Sequence, residues 1–251
     1  MFLVLHFLLL AHLFLRVLRL AVGTFYFPGF AFYSEITPEN QARALSPIEF
    51  PNWILTQFAT VDEVKTALSS VVIAPTVTKD WGSAPPPFHY IVFDKSGHCL
   101  VIEPLEGKLV THENKLGTFS NSPPFDWHMI YLRNFINLTP FNAKPVTLNG
   151  VRLEQLGQGS GMVGIPGDFT PPSRFVRAAI FSATATPSEN ANEAIFQLFH
   201  ILNQFDIPVG ISRAKVENAT YNDQTQFTCA RDPQSLKYYF KSYNEQSKCS
   251  T

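Results

Sequence analysis

Residues 88–111 constrain the fold more than any other stretch. His89-Tyr90-Ile91-Val92-Phe93-Asp94, a turn at Lys95-Ser96-Gly97, Cys99-Leu100-Val101-Ile102-Glu103, a turn at Glu106-Gly107, and Leu109-Val110-Thr111 read as a three-strand antiparallel meander. Pro85-Pro86-Pro87 is a rigid lead-in to it. Leu20-Ala21-Val22-Gly23-Thr24-Phe25-Tyr26-Phe27 reads as a further buried strand, stopped by Pro28-Gly29. Two segments have helical spacing. Residues 61–68 follow Thr60 as N-cap with Glu63 as capping-box partner, and residues 188–202 carry Ser188 as the expected cap. The run 175–181 reads as another apolar strand, and residues 225–232 and 237–243 as a hairpin. Strands, helix, then strands, without βαβ alternation, imply an α+β class with mostly antiparallel sheets.

At 251 residues and 45% hydrophobic content, one sizeable core is expected. The net charge of −1 provides no basic field for nucleic acid. Cys99, Cys229 and Cys249 match no disulfide framework or zinc spacing, and the seven histidines contain no i, i+4 pair, so no metal or other cofactor is expected. Gly159-Ser160-Gly161-Met162-Val163-Gly164 fits the dinucleotide fingerprint in letters only, because Ile165-Pro166-Gly167 follows where a helix is required. Residues 1–19 form an anomalous segment. An apolar run to Leu15 is closed by Arg16 and Arg19, too short for a clear membrane span and without the flanks of a secretory signal. Residues 20–251 are read as the domain.

Two motifs carry chemistry. Ser120-Asn121-Ser122-Pro123-Pro124 offers an amide side chain beside a proline-fixed turn, and Pro166-Gly167-Asp168-Phe169-Thr170-Pro171-Pro172-Ser173-Arg174-Phe175-Val176-Arg177 presents an arginine where a loop enters an apolar segment. An amide N–H and a fixed cation are two parts of an amide-cleaving site. Each alone is equally a turn residue or a surface ion pair.

Taken in order, Tyr26-Phe27-Pro28-Gly29-Phe30-Ala31, Phe93-Asp94-Lys95-Ser96-Gly97, Val101-Ile102-Glu103, the Asn121 motif, Leu132-Arg133-Asn134-Phe135, Pro166-Gly167-Asp168, the Arg174 motif and Tyr238-Tyr239-Phe240 resemble the choloylglycine hydrolase family, which includes penicillin V acylases and bile salt hydrolases. The resemblance implies an Ntn-hydrolase αββα sandwich of two antiparallel sheets between helix layers, here incomplete at both ends. It also implies an N-terminal cysteine whose thiolate attacks an acyl amide while its own α-amino group acts as base. In that scheme Asn121 is an oxyanion donor, Arg174 supports the thiolate, and Tyr26 supplies a second donor through its N–H and a ring to wall the acyl pocket. Tyr26 and Trp127 are similar to penicillin V acylases, some of which cleave N-acyl homoserine lactones. Tyr131 stands where asparagine is common.

The family's cysteine segment has no counterpart upstream of Leu20, and residues 244–251 end where a further strand is expected. A mid-chain Cys99 has no free α-amino group to take the role. Two readings follow: a linear amide hydrolase of small acyl amides, or an inactive truncated remnant that at most binds acyl ligands. The resemblance further implies a homotetramer, and a bacterial periplasm or cytoplasm as the compartment.

Overall fold

The computed structural model describes residues 20–217, 219–232, 234–244 and 248–250; the apolar opening segment lies outside them. In chain order the elements are β1 (Leu20–Tyr26), β2 (Ala44–Leu45), α1 (Glu49–Gln57), α2 (Val61–Ala67), β3 (Val72–Ile73), β4 (Phe88–Asp94), β5 (Cys99–Leu105) and β6 (Lys108–Glu113). They continue with α3 (Phe125–Leu132), β7 (Val146–Leu148), β8 (Val151–Leu153), α4 (Pro171–Thr184), α5 (Ala191–Leu202), β9 (Ser212–Val216), β10 (Ala219–Asp223), β11 (Phe227–Asp232), β12 (Lys237–Ser242) and β13 (Lys248–Ser250). The class is α+β, as expected.

The main sheet has the order β1-β4-β5-β6 and is antiparallel throughout. Its two faces are covered by different helices. On one, Leu20, Val22, Tyr90, Val92, Leu100 and Ile102 pack against Phe50 and Ile54 of α1 and Val61 and Val64 of α2. On the other, Ile91, Cys99 and Val101 meet Phe125 of α3 and Phe175 of α4. Because both faces are covered, β4 and β5 are apolar almost without interruption, which is why they announce themselves in the sequence. A second sheet, β11-β12-β13, joins the first where Arg231 Nη1 donates to the Leu20 carbonyl at 3.1 Å. Its third strand falls in the tail, where only an end was expected.

Three sequence expectations need correction or refinement. The run 175–181 is not a strand but the middle of α4. Prolines at its first two positions, whose missing N–H groups would be unpaired anyway, start the helix, and the buried set Ser173, Phe175, Val176, Arg177 and Ala179 follows a helical repeat. A short apolar run cannot reveal its own period. The α2 capping box at Thr60 and Glu63 is present as read, but α5 is capped by Asn190, which accepts from the Glu193 N–H at 3.1 Å. Ser188 instead donates to the Gln197 side chain. Finally, α1, α3 and the hairpins β7–β8 and β9–β10 were not anticipated.

The glycine-rich decoy is a single 3-10 turn at Ser160–Met162. A Cβ on Gly161 would lie 2.0 Å from the Phe141 carbonyl oxygen and 2.4 Å from that of Thr139, so the glycine serves close backbone packing.

Candidate active site

The site forms at the outer edge of β1. Phe27 N–H donates to Pro87 O at 2.7 Å, and Tyr26 is paired in register with Phe88. Antiparallel pairs alternate between bonded and non-bonded, so Tyr26 is a non-bonded pair: its N–H and C=O both point away from β4. That edge carries no partner strand among the described residues. Asn121 comes to it from the loop that enters α3.

Asn121 is clamped on both ends of its amide. Its Nδ2 donates to the Tyr26 carbonyl at 2.9 Å, and its Oδ1 accepts from Arg174 Nη2 at 2.8 Å. These two bonds fix which end of the amide is which. The Tyr26 N–H opens on the same edge, and Asn121 Nδ2 keeps a second hydrogen that the Tyr26 carbonyl does not take, so the two residues offer the kind of donors an oxyanion requires. The three residues named from sequence are therefore brought together. The Tyr26 ring stacks on Trp81 with centroids 6.0 Å apart, giving an aromatic wall next to the donors. Trp127 stacks on Tyr131 on α3, 5.1 Å apart.

Arg174 sits on the first turn of α4, not at a strand entrance. Its Nε donates to Phe169 O at 3.1 Å. Burial, with Arg177 nearby, brings its pKa down to about 10, which leaves it cationic at neutral pH. The preceding Pro166-Gly167-Asp168 segment is what aims it. Asp168 accepts from Ser173 Oγ at 2.6 Å, from the Thr170 hydroxyl and from Thr170 N–H at 2.9 Å, bonds that hold its carboxyl down to about 2. Arg177 Nη1 in turn donates to the carbonyls of Pro166 and Asp168, both at 2.7 Å.

Sequence reasoning missed His128 and gave no role to Glu103. His128, buried on α3, has Nε2 at 2.9 Å from the Asn121 carbonyl; since a carbonyl only accepts, Nε2 carries a proton. Its ring stacks on Phe175 at 4.7 Å. Burial lowers its pKa to about 4. A His seven residues after Asn121 on an apolar helix was the available signal, but such a residue is equally a plain core histidine.

A pH prediction follows from linkage. Because His128 titrates lower in the folded chain (about 4) than its ordinary 6.5, its contribution to stability is present above pH 6.5 and lost as pH falls toward 4. Buried His89 shifts the same way. Glu103 acts oppositely: burial raises it to about 7, so its contribution is full below its ordinary 4.5 and is lost as pH rises through 7. Urea midpoints for the wild type and His128→Gln at neutral and mildly acid pH are expected to show a smaller acid loss in the variant; equal losses would contradict the assignment.

Known proteins resemble this chain in sequence and in fold. A sequence model of linear amide C–N hydrolases, choloylglycine hydrolase family, matches residues 18–250. A bile salt hydrolase/transferase of Clostridium perfringens is 32% identical over 217 residues, 86% of this chain and 64% of that protein, so the chain spans under two thirds of that relative's length. A penicillin V acylase of Pectobacterium atrosepticum is 27% identical, over 84% of this chain and 53% of its own. Among solved structures, a variant of conjugated bile acid hydrolase from Clostridium perfringens superposes with a TM-score of 0.81 at 30% identity, covering 93% of this chain and 70% of that one. The penicillin V acylase of Agrobacterium tumefaciens shares the fold, with a TM-score of 0.68 at 24% identity, over 91% of this chain and 62% of its own. The described residues thus carry an Ntn-hydrolase-type α+β fold, and the chain belongs to the choloylglycine hydrolase family of linear amide C–N hydrolases.

Proposed function

We propose that residues 20–250 form the oxyanion and acyl-binding part of an enzyme that cleaves the C–N bond of small linear acyl amides. The observation that carries the proposal is the Asn121 amide, held between Tyr26 O and Arg174 Nη2 beside the Tyr26 N–H. In this mechanism a cysteine thiolate attacks the amide carbonyl and the residue's own α-amino group takes the thiol proton and passes it to the leaving amine. The carbonyl oxygen, now negative, is received by Asn121 Nδ2 and Tyr26 N–H, and water then releases the acyl group. Arg174 serves by holding Asn121 Oδ1, which keeps Nδ2 aimed at the developing charge, and by placing a fixed cation near the thiolate.

Substrate candidates are penicillin V, conjugated bile acids and N-acyl homoserine lactones. Tyr26 and Trp127 favour an aromatic acyl group such as that of penicillin V, while bile salt hydrolases among the relatives reach 32% identity against 27% for the penicillin V acylase.

The second reading, acyl binding without turnover, is favoured by the placement of the described cysteines. Cys99 is buried in β5, with its thiol pushed up to about 12 by burial. Cys229 is on β11, the strand whose Arg231 reaches the Leu20 end of β1, opposite the Tyr26 end. Neither can supply both thiolate and α-amine. Amine release from the three substrates by protein purified from its native source separates the readings. Turnover abolished by thiol alkylation supports the hydrolase; binding without turnover supports the second reading; neither binding nor turnover removes both.

Assembly as a homotetramer belongs to the same proposal. The hairpin β7–β8 presents Val146, Leu148, Val151 and Leu153 to solvent, with Leu148 61% and Val151 60% exposed. Such apolar exposure on a projecting hairpin suits burial against another copy. Leu148→Lys is expected to lower the mass measured by sedimentation equilibrium; a monomeric wild type would contradict the proposal.

A further inference from the structure

Glu103 is a fully buried acid in an otherwise apolar strand, on the face of β5 that meets α3. Burying a carboxyl is costly unless its oxygens are occupied. Its oxygens are shared among three elements. Phe125 N–H donates to Oε1 at 3.0 Å and Oε2 at 3.2 Å; His89 Nδ1 on β4 lies 3.0 Å from Oε1; His112 Nε2 on β6 lies 3.6 Å from Oε2.

The Phe125 bond is the informative one. Phe125 opens α3, and its predecessor Pro124 has no side chain able to cap the helix. The N–H groups of a first helical turn lack intrahelical partners, so Glu103 supplies from another strand the cap that the local sequence omits. Only Ser122, Pro123 and Pro124 separate Asn121 from that turn, and two of the three have a locked φ. A second tie runs back from α3, where His128 Nε2 donates to the Asn121 carbonyl.

We propose that Glu103 is a positioning residue for Asn121: from inside the sheet it fixes the first turn of α3, and through the proline pair and His128 it fixes the Asn121 amide between Tyr26 and Arg174. The inference rests on the oxyanion reading of Asn121. Four titratable groups face this assembly: His89 on β4, His112 on β6, Asp126 on α3, and His128 on α3, which also feels Arg174 on α4. Burial raises the Glu103 carboxyl to about 7, against the lowering by Phe125 N–H and His112, so its charge changes near neutrality.

The test follows the side-chain amide signals of Asn121 in 15N–1H spectra of the whole chain, assigned by their loss in Asn121→Ala. In the wild type they are expected to shift with pH around a midpoint near 7. In Glu103→Gln, which keeps the shape and loses the charge, the shift should vanish; Glu103→Asp should restore a midpoint. In the amide-cleaving form, Glu103→Gln should lower kcat and leave KM in place, because an oxyanion donor acts in the transition state. An Asn121 signal that does not move with pH in the wild type overturns the proposal, and so does one that moves identically in Glu103→Gln. If Glu103→Gln does not fold, Glu103→Asp takes its place, and an Asn121 midpoint unchanged by that substitution overturns the proposal as well. The amide signals report whether or not substrate is cleaved, so a titrating Asn121 in a protein without turnover would remove the hydrolase reading and leave the positioning role standing.

Discussion

Asn121→Ala is expected to lower kcat for acyl-amide hydrolysis about 100- to 1,000-fold while KM stays within a few-fold. The size follows from what the side chain does. Its Nδ2 stands at the Tyr26 end of the outer edge of β1, and it is oriented in advance by Tyr26 O at 2.9 Å and Arg174 Nη2 at 2.8 Å. A donor already in place costs no reorganisation when the oxyanion forms, and it acts on a charge that the ground-state amide lacks. Alanine removes the donor and leaves Arg174 Nη2 without its acceptor. Steady-state kinetics with a chromogenic acyl amide check both parameters. A rise in KM with unchanged kcat would place Asn121 in ground-state binding and not in the oxyanion site.

Phe175→Ala is expected to destabilise the fold by roughly 3–5 kcal/mol, the usual cost of emptying a phenylalanine site in a core. Phe175 is fully buried on α4, edge-on to Phe125 at 6.1 Å and stacked on His128 at 4.7 Å. It joins α4, which carries Arg174, to α3, which holds the Asn121 carbonyl, and both to the sheet. Urea denaturation of the variant checks the magnitude. A loss below about 1 kcal/mol would mean that this face of the sheet is not packed as described.

Much of this arrangement could be read in advance, and where it could not the reason is physical. The meander from Phe88 to Glu113 was legible because its central strands are apolar and their ends carry glycine turns at Gly97 and Gly107. The segment around Phe175 was not, because an apolar run of seven residues fits a buried strand and a buried helix equally; Pro171-Pro172 was the better signal and was read only as loop. The helix α3 was hidden in a similar way, since its Asn-Ser-Pro-Pro lead-in reads as a turn and its cap comes from Glu103, 22 positions earlier. Asn121, Arg174 and Tyr26 were identified by ordered resemblance, and their contacts with one another, across 95 and 53 positions, are visible only in the folded chain. The local signals at His128 and Glu103 are ambiguous: a histidine in an apolar helix and an acid in an apolar strand acquire their meaning from neighbours on other elements.

In the proposed enzyme, Asn121 and Arg174 serve a cysteine nucleophile carrying a free α-amino group. The most direct measurement is the N-terminal sequence and intact mass of the protein purified from its native source, taken with penicillin V cleavage by the same sample. The expected result is a mature chain that begins with cysteine and releases the amine product, with loss of activity when that cysteine is alkylated. A chain without an N-terminal cysteine that nevertheless cleaves penicillin V would contradict it.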